Sequence, residues 1–124
     1  MGRYITGDIE HKLWFGVQSS TAADRFGSEG EYDEENDEFI YYFVDQEAVE
    51  DELQHIIDTI GLFELTKLQE FFRTSNGYND NILKAAGVFD LWELHKQDYA
   101  DYALGVAILE CIKRTGECSF TAEA

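Results

Sequence analysis

Residues 39–44 read FIYYFV, and Asp45 and the amphipathic stretch 46–60, QEAVEDELQHIIDTI, follow directly. An unbroken run of aromatic and β-branched residues is typical of a buried strand, so we predict a central strand over 39–44. Asp45 is a good N-cap for a helix over 46–60. That helix carries its apolar residues on one stripe, at Val49, Leu53, Ile56, Ile57 and Ile60.

The N-terminal side of this strand–helix unit predicts two more strands, a short helix and a polar segment. Residues 3–6 have strand composition, and residues 12–18 alternate between apolar and polar side chains. A short helix is expected over 22–26, ending at Gly27. Residues 28–38 are too polar to bury a face, which indicates a loop or a hairpin tip.

The C-terminal side predicts three helices and a last strand. Helices are expected over 62–74 and from Asp90 toward Thr115. Between them, Asn79 or Asp80 is expected to cap a short helix that runs through Ala86. Residues 118–122 alternate in hydrophobicity and are expected to add an edge strand.

The longest predicted helix has a capping-box-like start at Asp90 and Glu93, and a break near residues 97–98 is an alternative. Its predicted inner stripe comprises Tyr99, Tyr102, Ala103, Val106, Leu109 and Ile112. Together the elements predict a single α+β domain over residues 1–124. It should contain a small, mostly antiparallel sheet of three to four strands with four to five helices packed against it.

The charge of the chain is concentrated in one segment. The sequence has 26 Asp and Glu against 9 Lys and Arg, for a net charge of −17. Residues 26–66 hold 14 of these acids and no Lys or Arg, whereas residues 1–25 are neutral and residues 67–124 carry −3. This balance argues against direct binding to nucleic acid or to an anionic membrane. It favours a basic protein surface as partner, and the alternative is a merely solvated loop and helix exterior.

The leading interpretation is therefore a non-enzymatic acidic binding module that uses residues 29–58, without cofactor, as a mimic of a phosphate backbone. Tyrosines beside carboxylates resemble the rigid anchors and charged rim of a protein interface. The candidate partner-binding residues are Glu31, Asp33, Glu34, Glu35, Asp37, Glu38, Tyr41, Tyr42, Glu47, Glu50, Asp51 and Glu52.

A small metal-dependent enzyme or cation-binding protein is the alternative. It would centre on His55, which has Asp51, Glu52 and Asp58 within four positions on the predicted helix. No His pair or repeated Glu-x-x-His accompanies it, and an EF-hand loop counted from Asp33 lacks the required glycine. No nucleophile or phosphate-loop motif is present, so no catalytic residue is expected.

The remaining features concern the environment of the chain. No secretory signal and no apolar run long enough to span a bilayer are present, which favours a cytoplasmic protein. Cys111 and Cys118 are expected to be buried, reduced thiols. A homo-oligomer with aromatic residues at its interface is compatible with the acidic-module interpretation.

Residues 2–18, GRYITGDIEHKLWFGVQ, resemble the opening of small acidic proteins from phage and bacterial mobile-element genomes. The resemblance implies a setting in which small acidic proteins block host defence nucleases, sometimes by imitating nucleic acid. It implies no activity, cofactor or catalytic residue.

Overall fold

The computed structural model shows an antiparallel sheet packed against helices. It describes residues 3–14, 16–75 and 77–124. The strands are β1 (Tyr4–Gly7), β2 (His11–Lys12), β3 (Glu31–Asp33), β4 (Glu38–Phe43) and β5 (Cys118–Glu123). The α-helices are α1 (Gln46–Ile60), α2 (Leu62–Thr74), α3 (Asp80–Ala85) and α4 (Phe89–Thr115), and a 3-10 helix spans Ala22–Phe26. The α+β class is as predicted.

The sheet has the strand order β2-β1-β5-β4-β3, with every neighbouring pair antiparallel. It therefore has five strands in the described ranges, rather than three to four. The additional strand is β3, which comes from the predicted polar segment and pairs with β4 to form a hairpin.

The last strand lies at the centre of the sheet, so its prediction as an edge strand was wrong. Strand β5 pairs with β1 through Ala122 and Ile5, and with β4 through Phe120 and Tyr41. The alternating side chains Cys118, Phe120 and Ala122 are all buried. Alternation of apolar and polar residues predicts a strand, but it does not show whether that strand lies at the edge or at the centre of the sheet.

The predicted strand over 12–18 was also wrong beyond Lys12. Among the described residues of this stretch, His11 and Lys12 pair with β1. The N–H of Leu13 donates one more bond, to the carbonyl of Arg3, before the chain leaves the sheet. The carbonyl oxygen of Trp14 accepts hydrogen bonds from the N–H groups of Val17 and Gln18, which closes a turn. Gly16 permits this turn because its φ is +75°, a value that side chains disfavour. Phe15 lies outside the described residues.

Helix α1 begins and ends as predicted. The Asp45 carboxylate accepts a hydrogen bond from the N–H of Ala48, at 3.1 Å, and the helix ends before Gly61. Its buried side chains are Val49, Leu53, Ile56 and Ile60. Helix α2 also matches its predicted range.

Helix α4 is one unbroken helix, so neither the predicted break nor the capping box at Asp90 is present. It starts at Phe89, and its N-cap, Val88, offers no side-chain acceptor. Of the predicted inner stripe only Tyr99 and Ile112 are buried. Helix α4 contacts the other helices and β5, and because it is buried on more than one side, apolar periodicity could not select its inner face.

The core joins the inner face of the sheet to these helices. The rings of Tyr41, Phe43 and Phe120 stack on one another at centroid distances of 5.2–5.9 Å. Cys111 and Cys118 are buried and not bonded to each other, in agreement with the prediction. Within the described residues, we find no helix with the length and apolar character needed to cross a membrane.

Candidate binding surface

The β3–β4 hairpin presents six of the candidate carboxylates. The Asp33 carboxylate holds the tip, accepting hydrogen bonds from the side chain of Asn36, at 2.8 Å, and from the N–H of Glu35, at 3.0 Å. The bond from Asn36 is the main reason why the pKa of Asp33 is lowered. The hydroxyl of Tyr32 donates to Asp37, at 2.6 Å. Asp33 and Asp37 thus accept hydrogen bonds that stabilise the hairpin itself. The hairpin carboxylates are Glu31, Asp33, Glu34, Glu35, Asp37 and Glu38.

The register of the sheet places like charges side by side on its outer face. Asp33 lies opposite Glu38, and Glu38 lies opposite Glu123 on β5, so three carboxylates form one row across neighbouring strands. Ile40, two residues along β4 on the same face, is exposed. Like charges in directly opposed positions destabilise a sheet, so this row is unfavourable for the isolated protein.

Helix α1 presents the second group of candidates. Glu47, Glu50 and Asp51 are exposed on the side of α1 that faces away from the core; we refer to them as the α1 carboxylates. Glu52 is different, because it is only partly exposed and binds the guanidinium group of Arg25 at 2.8 Å. Glu52 therefore belongs to an internal ion pair rather than to the free surface.

The excess charge is almost uncompensated by ion pairs within the protein. Of the 14 carboxylates in residues 26–66, Glu52 is the only member that lies within 4 Å of a cationic side chain in the described structure. The other ion pairs join residues outside this segment. The acidic surface is consequently available to cations from solvent or from a partner.

The two candidate tyrosines point to opposite faces of β4. Tyr41 is fully buried, and its hydroxyl donates to the Asp24 carboxylate. Burial, with this bond, raises the pKa of Tyr41. Its assignment to a partner-binding surface is therefore corrected. Tyr42 is 53% exposed on the outer face, and its hydroxyl donates to Glu117 at 2.8 Å. Adjacent strand residues alternate between faces, so only one member of the pair could be exposed.

The sequence did not predict an internal charge network around Arg25. Arg25 contacts Glu52 and also Asp98, at 3.0 Å, and Asp101, at 2.7 Å. Asp101 is 1% exposed and accepts a second hydrogen bond from Gln18. Desolvation raises the pKa of Asp101 in spite of these bonds. A single Asp inside the apolar run of α4 was the available signal, but its partners lie far away in the sequence.

The alternative centred on His55 gains no support from the geometry. His55 is exposed on α1, and its neighbour Glu52 is directed to Arg25. Across residues 3–14, 16–75 and 77–124, no group of three or more His, Cys, Asp or Glu side chains is arranged to hold a metal ion.

Comparisons with family models, with curated proteins and with solved structures gave no match. The function is therefore inferred from the surface itself.

Proposed function

We propose that this protein is a non-enzymatic binding module whose acidic segment docks on the basic surface of a nucleic-acid-binding protein, chiefly through the hairpin carboxylates. The observation that carries the proposal is the near absence of compensating cations in the described structure. Thirteen of the 14 carboxylates of residues 26–66 have no ion-pair partner there. A basic partner would neutralise them and relieve their mutual repulsion.

The spacing of the carboxylates supports imitation of a phosphate backbone. Neighbouring strands lie about 4.8 Å apart, which sets the backbone separation along the row Asp33, Glu38 and Glu123. On α1, Glu47 and Glu50 are three residues apart, or about 4.5 Å along the helix axis. One strand of DNA carries a phosphate every ~3.4 Å of axial rise, so the charge densities are comparable.

Tyr42 and Ile40 give this surface an apolar component on the outer face of the sheet. Interfaces commonly combine a small number of aromatic or apolar anchors with a charged rim. The resemblance of residues 2–18 extends the proposal to a partner class, namely nucleases of host defence.

Competition with nucleic acid is the direct test. The immobilised protein is exposed to a host lysate at low salt, and bound proteins are eluted first with duplex DNA and then with salt. We expect a nucleic-acid-binding protein to elute with DNA, and the reconstituted complex to weaken steeply with added salt.

Charge reversal separates this surface from general acidity. Glu34→Lys/Glu35→Lys changes two exposed hairpin carboxylates that accept no hydrogen bond that defines the turn. Glu10→Lys/Glu110→Lys changes the net charge equally at exposed sites outside the segment. We expect only the hairpin variant to lose binding. Equal losses in both variants, or retention by the hairpin variant, would contradict the proposal.

A further inference from the structure

A groove of about 510 Å³ runs along the outer side of α2, away from the buried Leu65 and Leu68. Six side chains of α2 line it: Phe63, Thr66, Lys67, Glu70, Phe71 and Thr74. Ala86 and Val88, from the connection between α3 and α4, complete the lining. Phe63 is 77% exposed, the highest value among the large hydrophobic side chains in the described ranges. Removing such an apolar side chain from water would be energetically favourable, so it is a candidate contact for a partner.

The charge of α2 differs from that of the rest of the chain. Glu64 and Glu70 are balanced by Lys67 and Arg73, so this helix is neutral in a protein of net charge −17. Two copies of so acidic a chain repel each other over most of their surfaces. A neutral, partly apolar face is where they can approach at the least electrostatic cost.

The lining residues of α2 are also arranged symmetrically along the helix. They pair about the midpoint between Leu68 and Gln69: Phe63 with Thr74, Thr66 with Phe71, and Lys67 with Glu70. A two-fold axis through that midpoint would cross two α2 helices antiparallel and bring each residue toward its counterpart in the other copy. A two-fold interface requires this self-complementarity, in which residue i meets j and j meets i.

We propose that α2 forms the interface of a two-fold symmetric homodimer, in which Lys67 of each copy pairs with Glu70 of the other and Phe63 of each copy enters the groove of the other. Glu70 already pairs with Arg73 of its own chain, and both side chains are exposed, so Lys67 of the second copy joins this pair. The contact is made twice, and two exposed phenylalanines become covered. The occupant is a second copy because the charge complementarity is reciprocal within one helix face. The acidic hairpin, in residues 31–38, supplies no side chain to this groove.

Charge reversal and charge exchange test the proposed pairing. Sedimentation equilibrium should give twice the 14.2 kDa mass of the chain for the wild-type protein. Lys67→Glu and Glu70→Lys each create two like-charge contacts and should each weaken the dimer at least about tenfold. The exchanged variant Lys67→Glu/Glu70→Lys restores opposite charges between the copies and should return to within about threefold of the wild-type dissociation constant. Its matched reference is Glu70→Lys, because both variants lose the pair between Glu70 and Arg73 within the chain.

The control variants separate the interface from folding. Phe63→Ser should weaken the dimer, whereas Val44→Ser, also at an exposed apolar site but outside the groove lining, should leave it unchanged. Circular dichroism melting of each variant reports on the fold independently of mass.

Three results would overturn the proposal. The first is a wild-type protein that remains monomeric up to about 1 mM, where even a millimolar dissociation constant is visible. The second is a dimer that Lys67→Glu and Phe63→Ser leave intact. The third is an exchanged variant that dimerises as weakly as the single reversals while its melting curve stays cooperative.

Added salt should change the affinities of the two proposed surfaces in opposite directions. Added salt screens the repulsion between two chains of −17, since the Debye length falls from about 30 Å at 0.01 M to about 8 Å at 0.15 M. Two short Lys67–Glu70 contacts covered in the interface are screened less than the repulsion between the whole chains. Homodimerisation should therefore strengthen over this range, whereas docking on a basic protein should weaken. A homodimer that weakens with salt over this range would contradict an interface built on the neutral helix.

Discussion

The side-chain amide of Gln18 donates a 2.9 Å hydrogen bond to the Asp101 carboxylate, joining two residues 83 positions apart in the chain. Both side chains are buried. The amide oxygen of Gln18 also accepts from the N–H of Trp14, and the other oxygen of Asp101 accepts from Arg25. This network joins the N-terminal turn to the middle of α4 and satisfies a carboxylate that would otherwise be costly to bury.

Removal of the buried carboxylate should be strongly destabilising. Asp101→Ala leaves Gln18 without its acceptor and Arg25 without its most buried partner, although Glu52 and Asp98 still neutralise the guanidinium group. We expect a loss of about 3 kcal/mol in the free energy of unfolding, at the low end for a broken buried pair. Urea denaturation measures it. The matched variant Asp98→Ala, at a more exposed partner, should lose less than about 1 kcal/mol; equal losses would show that burial is not the cause.

Ionisation of Asp101 should give a pH dependence of defined sign. Desolvation raises the pKa of this carboxyl in the folded protein, so the folded state holds the proton to a higher pH than the unfolded state does. In the window between the unfolded and the raised folded pKa, the folded state binds more protons, and the contribution of Asp101 to stability falls as the pH rises.

The difference in unfolding free energy between the wild-type protein and Asp101→Asn isolates this contribution. We expect the wild-type protein to lose stability relative to the Asn variant as the pH rises through that window. A difference that grows in favour of the wild-type protein over the same window would mean that Arg25 and Gln18 outweigh desolvation.

Two adjacent tyrosines should respond differently to loss of the hydroxyl group. Tyr41→Phe removes a bond from a buried phenol to Asp24 and should cost about 0.5–1.5 kcal/mol of stability. Tyr42→Phe removes a bond to Glu117 on the exposed face and should change stability by less than about 0.5 kcal/mol. Paired denaturation curves measure both. Equal effects would contradict the assignment of the two residues to opposite faces.

Gly105 should not tolerate a methyl group, although it lies inside a helix where alanine is normally preferred. A Cβ atom there would lie 2.5 Å from the ring of Phe26 and 2.7 Å from a methyl group of Leu53. We expect Gly105→Ala to lose about 1–3 kcal/mol through overpacking, which outweighs the gain of about 1 kcal/mol in helix propensity. Thermal melting measures the loss, and Phe26→Leu in the same chain should recover part of it. A more stable Gly105→Ala variant would mean that α4 can move away from α1.

Local sequence patterns predicted the helices well. The errors concerned features that depend on contacts between residues far apart in the chain. Asp45 and the apolar stripe of α1 lie within one element, so cap, length and buried face all followed from adjacent residues. The position of β5 depends on pairing with β1, more than 100 residues earlier in the chain. The alternating residues around Trp14 were predicted as a strand because hydrophobic periodicity does not reveal the turn at Gly16.

The candidate surface was predicted in composition but not in arrangement. Exposure of the acids followed from their charge, and most of them are exposed. The predicted strand implies that Tyr41 and Tyr42 face opposite sides. The unbroken apolar run over 39–44 did not show which of the two sides is buried. The pairing of Glu52 with Arg25 crosses from one element to another, 27 positions along the chain, and no local pattern indicates it.

The central position of β5 has a consequence for synthesis on the ribosome. Strands β1 and β2 emerge first and β3 and β4 follow, but the strand that joins these two pairs is translated after all of them. Until it emerges, both pairs have unpaired edges, and the inner face of β4 with its aromatic side chains lacks Phe120. We expect the sheet to close only after translation of β5, and truncation before Cys118 to yield a chain that aggregates through these open edges.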